Sequence, residues 1–138
     1  MIVLGIDPGL ERLGYAFLEF GPNVCKPLSY GLVSTSSKWP HPKRIRQIYD
    51  DLKSLIECHK PEAMALEKLV FARNVTTALP VSEGRGVLLL LAEQHGLSVA
   101  EFTPNEVKQT VTGYGRSDKN QVGSAVPFLL SLPDIPKP

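Results

Sequence analysis

Two acidic residues stand out because each one ends a short apolar segment. Asp7 follows the run from Ile2 to Ile6, and Glu67 closes the segment that begins at Ala63. In open α/β sheets ligands bind at the carboxyl ends of strands, and neighbouring strands lie about 4.8 Å apart. If the two segments are adjacent strands, both carboxylates converge on one cation, for which Mg²⁺ is suited. The alternative is that each acid only caps a turn or pairs with a nearby basic residue.

The segment around Asp7 has a pattern that occurs in two different kinds of functional site. The segment Gly5-Ile6-Asp7-Pro8-Gly9 places a turn after the acid, where backbone can come close to a ligand. Actin-like and sugar-kinase ATPases use such a segment to hold a nucleotide phosphate, whereas ribonuclease H-like nucleases use the Asp as a metal ligand. The kinase-type fold usually needs two such domains, which 138 residues support poorly. In the nuclease interpretation, the metal activates water for phosphoryl transfer.

Basic residues form three groups along the chain. The group after Glu67 consists of Lys68, Arg73 and Arg85. The group around the loop at 113–115 consists of Lys108, Arg116 and Lys119. Both groups are expected to flank the carboxyl edge of the sheet and contact phosphates, although a solvated surface is the competing interpretation. The third group opens the first helix and is predicted to be a solvated face, with Trp39 as a packing residue; it consists of Lys38, Lys43, Arg44 and Arg46.

The apolar pattern predicts the element order βββ-α-β-α-β-α-α in a single α/β domain over residues 1–138. Strands are predicted at 2–6, 13–20, 28–35, 63–67 and 98–102, and helices at 74–95, 104–112 and 117–130. The first helix is indicated by an apolar face and ends at Pro61; that face consists of Ile45, Ile48, Leu52, Leu55 and Ile56. The simplest arrangement is a mixed five-stranded sheet with helices on both faces, strands one to three forming an antiparallel meander and strands one, four and five running parallel.

Composition narrows the function classes. The net charge of +1 argues against a globally basic nucleic-acid binder but leaves a locally basic one open. The longest apolar run, from Val87 to Ala92, is too short to span a membrane, for which about 20 residues are needed. The N-terminus lacks the basic and apolar pattern of a secretory signal, and Cys25 and Cys58 do not suggest a disulfide framework. We therefore expect a cytoplasmic protein without a membrane association.

Taken together, the motifs resemble those of the RuvC family of bacterial Holliday-junction resolvases, along nearly the whole chain. The first block is the segment at 5–9 with Gly14-Tyr15, and the second follows Glu67. The second block contains Phe71, Arg73, Asn74, Ala78-Leu79 and Gly84-Arg85-Gly86. The third block, which is the most specific, contains Pro104, Val107-Lys108-Gln109, Val111-Thr112-Gly113, Gly115, Lys119 and Gln121-Val122.

This resemblance implies a ribonuclease H-like fold and a homodimer that makes paired, symmetric nicks in four-way junction DNA during recombination and repair. It implies Mg²⁺ as the cofactor, with Mn²⁺ as a substitute, and the branch-migration proteins RuvA and RuvB as partners at the nucleoid. Asp7 and Glu67 match metal-binding acids, and Lys108 and Lys119 match lysines near the scissile phosphate. The resemblance thus implies that these four residues are catalytic. The long helix after Glu67 matches the helix that forms part of the dimer surface in the family. The expected DNA contacts are Lys68, Phe71, Arg73, Asn74, Arg85, Lys108, Arg116 and Lys119.

The chain departs from the family pattern at three places. The family's last two acids are expected on a C-terminal helix just beyond the segment that occupies 132–138 here, so the domain is expected to lack that helix. Val70 stands where the family commonly has Phe, with Phe71 next, and Glu83 adds a negative charge to the long helix. The first departure motivates an alternative function, a junction-DNA-binding domain with an incomplete catalytic site.

Overall fold

Five strands and two helices make up the described part of the chain. The computed structural model describes residues 1–22, 24–68 and 75–102. The strands are β1 (Ile2–Asp7), β2 (Arg12–Gly21), β3 (Val24–Ser34), β4 (Ala63–Glu67) and β5 (Ser98–Phe102), and the helices are α1 (His41–His59) and α2 (Val75–Gln94). The predicted helices at 104–112 and 117–130 lie outside the described residues.

The strands form one mixed sheet in the order β3-β2-β1-β4-β5. The pairs β1–β2 and β2–β3 are antiparallel, whereas β1–β4 and β4–β5 are parallel. This arrangement confirms the predicted meander and the parallel trio. Because β1 and β4 are neighbouring strands, Asp7 and Glu67 lie at the ends of adjacent strands, which the sequence alone left open.

The core lies between one face of the sheet and the two helices. Alternate strand residues point into it, as a two-residue period requires. The strands contribute Leu4, Ile6, Leu13, Phe17, Val33, Met64 and Leu66. The helices contribute Ile48, Leu52, Ile56, Leu88, Leu91 and Ala92. The predicted apolar face of α1 is confirmed in part, because Ile45 and Leu55 are only half-buried.

Local residues explain where the helices end. After α1, Lys60 adopts a left-handed conformation with φ 51°, and its N–H donates to the carbonyl of Ile56 at 2.8 Å. Pro61 then cannot continue the helix. Beyond α2, Gly96 has φ +68°, which a glycine adopts without strain, and this confirms the predicted stop.

The start of β3 was predicted wrongly. The sequence suggested a start at Leu28, yet pairing with β2 extends back to Val24, past Pro27. The register shifts between Phe17 and Leu18, where Pro27 lies opposite Leu18. In the described sheet β3 is an edge strand, and a proline that lacks an N–H is tolerated at an edge or a bulge.

We predict that Gly9→Ala destabilises the turn after Asp7. A Cβ atom at this position would lie 2.3 Å from the carbonyl oxygen of Arg12, which is backbone and cannot move aside cheaply. Thermal unfolding should show a loss of about 1–3 kcal/mol. Gly21→Ala is the matched control, since nothing lies within 4 Å of its added Cβ. Equal melting temperatures for the two variants would contradict this account of the turn.

Candidate active site

Asp7 and Glu67 lie side by side at one edge of the sheet. The parallel register pairs Ile6 with Leu66, so the next residue on each strand is one of the two acids. Neighbouring strands are about 4.8 Å apart, which brings the two carboxylates within reach of a common ligand. Both acids point away from the core, because Ile6 and Leu66 point into it. Asp7 is exposed and Glu67 is half-buried.

Small residues surround the acids on their face of the sheet. Gly14 lies opposite Asp7 on β2, and a Cβ added there would lie 3.6 Å from the Cβ of Asp7. Gly5 and Ala65 precede the two acids by two residues and pair with each other across β1 and β4. No bulky side chain at these three positions covers the space beside the carboxylates.

Arg85 of α2 fixes the backbone beneath Glu67. Its Nε donates to the carbonyl oxygen of Glu67 at 3.3 Å, and its Nη2 forms an ion pair with Glu101 of β5. The N–H of Lys68 donates to the carbonyl oxygen of Phe102 at 2.7 Å, which continues the β4–β5 pairing one step past Glu67. The backbone of Glu67 is therefore held from the helix and from the neighbouring strand.

The arrangement gives Arg85 a role that the sequence did not reveal. A DNA contact was predicted, but only 14% of its side chain is exposed and its guanidinium already binds Glu101 and Glu67. Glu101 was not predicted at all. The sequence feature that could have indicated it is the single charged residue in the predicted strand at 98–102.

The other predicted site residues fall into two groups. Lys68 directly follows Glu67 and is exposed at the same edge, as expected for a phosphate contact. Outside the described residues lie Phe71, Arg73, Asn74, Lys108, Arg116 and Lys119. Glu83 was predicted to add a negative charge to the long helix. In the structure its carboxylate lies 3.5 Å from Nε2 of His41.

The donor set suits a hard divalent cation. Both candidate ligands are carboxylates, which Mg²⁺ prefers while it keeps several waters. Over the ranges that the structure covers, no group of three or more His, Cys, Asp and Glu side chains could hold a metal ion. The described residues thus supply a two-carboxylate site. No helix among them is long and apolar enough to cross a membrane.

We predict that Arg85→Ala weakens divalent-metal binding. Arg85 is not itself a candidate ligand, but it holds the backbone of the candidate ligand Glu67. Losing its two partners should also cost about 1–2 kcal/mol of stability. Calorimetric titration with Mn²⁺ and thermal unfolding measure the two effects. Lys26→Ala is the control, because Lys26 is exposed near the start of β3, away from Asp7, and forms no ion pair with any described residue. Unchanged Mn²⁺ affinity in folded Arg85→Ala would refute the positioning role.

The chain is similar to known proteins along nearly its whole length. The family model described as "Crossover junction endodeoxyribonuclease RuvC" matches residues 3–138. RuvC of Heliobacterium modesticaldum is 47% identical over 138 residues, which are 100% of this chain and 85% of that protein. RuvC of Thermomicrobium roseum is also 47% identical, with 100% and 84% covered.

Solved structures are similar over the same length. Thermus thermophilus RuvC matches with a TM-score of 0.90 and 30% identity, covering 100% of this chain and 85% of that one. The same protein in complex with a Holliday junction substrate matches with a TM-score of 0.92 and 31% identity, covering 100% and 84%. The chain therefore belongs to the RuvC family, the crossover junction endodeoxyribonucleases.

Proposed function

We propose that this endonuclease resolves four-way DNA junctions by hydrolysing phosphodiester bonds at the edge of the sheet that carries Asp7 and Glu67. The observation that carries the proposal is the β1–β4 register, which sets two carboxylates side by side at the carboxyl ends of parallel strands. A relative with 31% identity has been solved with a Holliday junction substrate, which supports the same class of DNA for this chain.

Asp7 and Glu67 are the residues that would hold Mg²⁺, with Mn²⁺ as a substitute. When bound, the ion lowers the pKa of a coordinated water and offsets negative charge on the phosphate. The exposure of Asp7 leaves its carboxylate accessible to a phosphate from solvent. Glu67 is less exposed, and Arg85 restrains its backbone, so one ligand is fixed in place while the other faces the substrate.

The remaining site residues are assigned to DNA contacts. Lys68 lies next to Glu67 and would bind a phosphate near the cut. Lys108 and Lys119 would lie near the scissile phosphate, and Arg73 and Arg116 would hold flanking phosphates, all without reading sequence. Phe71 would stack on a base, and Asn74 would also contact the DNA.

The chain would act as a homodimer, because paired, symmetric nicks need two equivalent sites. A twofold interface uses the same patch on both copies. Leu79 and Leu90 on α2 are 66% and 51% exposed, and eleven residues place them on one helical face. Beside Leu90 lies an apolar groove between α1 and α2 whose lining includes Pro42, Ile45, Tyr49 and Val87. RuvA and RuvB would be partners at the junction, in the cytoplasm and at the nucleoid.

The test of the catalytic assignment is cleavage of a labelled four-way junction in Mg²⁺. Asp7→Asn and Glu67→Gln should each lower the cleavage rate at least about 100-fold, because each removes a charged ligand without adding bulk. Junction binding, followed by gel shift in a chelator, should persist. Glu62→Gln is the matched control, since Glu62 is exposed just before β4, at the opposite end of that strand.

The outcomes separate the two candidate functions. Paired nicks that depend on added Mg²⁺ or Mn²⁺, and disappear in Asp7→Asn and Glu67→Gln, support the endonuclease. Full cleavage by Asp7→Asn would refute its catalytic role. Salt-sensitive binding without nicks, even by the unmodified chain, would instead favour a junction-binding domain with an incomplete catalytic site.

A second prediction concerns the dimer. The double variant Leu79→Glu and Leu90→Glu should sediment as a monomer, because it places like charges at the centre of a self-complementary patch. Its circular dichroism should be unchanged, since both side chains are exposed. Ser54→Glu on an exposed position of α1 is the control. A variant that remains dimeric would place the interface elsewhere.

A further inference from the structure

The start of α1 lies at the same edge of the sheet as Asp7. β3 runs in the direction of β1, since both are antiparallel to β2, and its end at Ser34 pairs with Arg12 just after the Asp7 turn. The N–H of Thr35 donates to the carbonyl oxygen of Glu11 at 3.0 Å, and its hydroxyl donates to the carbonyl oxygen of Leu10. The segment between β3 and α1 is thus tied to the turn that follows Asp7.

This edge carries three cations without acidic partners. We use "α1 basic surface" for Lys38, Lys43 and Arg44 together with Trp39. None of the three cations forms an ion pair with a described residue. The next cations of α1 differ, because Arg46 pairs with Asp50 at 3.5 Å and Lys53 pairs with Glu57 at 3.8 Å.

The position of these charges is unfavourable for the folded chain alone. The first turn of α1 contains no acid, and no side chain caps its N-terminus. Lys43 and Arg44 therefore add positive charge to the positive end of the helix dipole. An anion bound here would offset both effects.

Two contacts hold the surface in a defined shape. The Nζ atom of Lys43 lies 4.6 Å from the ring centroid of Trp39, so Trp39 positions this lysine and has one ring face covered by it. The Nε atom of Arg44 donates to the hydroxyl of Thr35 at 3.0 Å, which leaves the two terminal nitrogens of the guanidinium for a ligand. Arg44 and Trp39 line an open groove of about 490 Å³. Ser37 and His41 also line it, and among its described lining residues Glu11 is the one carboxylate.

We propose that the α1 basic surface binds the phosphate backbone of a duplex arm of the substrate, outside the site of cleavage. The proposal rests on the proposed function, because the arm is the part of a junction that continues past the catalytic edge. The proposed ligand is a polyanion with regularly spaced phosphates. Three cations spread over a loop and a helix turn suit such a ligand better than they suit one small anion. For Lys38, Lys43 and Arg44 this proposal is the alternative to the solvated face that the sequence analysis expected of this group.

The test compares two double variants that each remove two positive charges. Lys38→Gln with Lys43→Gln alters the α1 basic surface, whereas Lys26→Gln with Lys53→Gln removes cations away from the catalytic edge. The dissociation constant for a four-way junction is measured over a range of salt concentrations. The first variant should bind about 10-fold or more weakly at low salt, and its slope of log K against log salt should fall by about 2. Cleavage at saturating junction should keep its rate.

Two results would overturn the proposal. One is an unchanged slope in the Lys38 and Lys43 variant relative to the Lys26 and Lys53 variant. The other is a binding defect that persists when the junction arms are shortened stepwise, since that places the contact at the crossover and not on an arm. Failure of the unmodified chain to bind or cut junctions would refute the proposed function itself, which is a different outcome from either of these.

Discussion

The parallel pairing of β1 with β4 is the constraint that sets Asp7 and Glu67 at the same edge of the sheet. Met64 and Leu66 are fully buried against the core, and a slip of one residue would turn both toward the opposite face. Each buried side chain of this size contributes about 1.5–3 kcal/mol, so the slip would cost a large part of a typical total stability of about 5–15 kcal/mol. The same burial that fixes the core face therefore fixes Asp7 beside Glu67 on the other face.

Core packing fixes the backbone positions of these two acids. The backbone of neither acid can shift along its strand without breaking the register that pairs Ile6 with Leu66. Arg85 stabilises the arrangement from below, because it binds the backbone of Glu67 and pairs with Glu101. The proposed metal site requires two carboxylates at fixed strand ends, and Arg85 of α2 restrains the backbone of one of them, Glu67.

Short apolar segments with clear boundaries were predictable from the sequence. β4 and β5 have the predicted bounds. Pro61 and Gly96 mark the turns before them, and each five-residue segment is too short to be predicted as a helix. The early start of β3 was not predictable, since Pro27 argues against a strand unless the edge position and the bulge are known. The partners of Arg85 depend on how α2 lies across β5, and no local pattern contains that information.

The charges at the start of α1 show what local spacing can and cannot tell. Arg46 has an acid four residues later, whereas the corresponding positions for Lys43 and Arg44 are Gln47 and Ile48, so their lack of helical partners was visible in the sequence. Their location beside the Asp7 turn was not visible, because it requires the topology of three strands. The net charge of +1 therefore hides a local imbalance, because Lys38, Lys43 and Arg44 form no ion pair with a described residue and lie at the edge that carries the two carboxylates. In our proposal, these cations attract a polyanion to that edge.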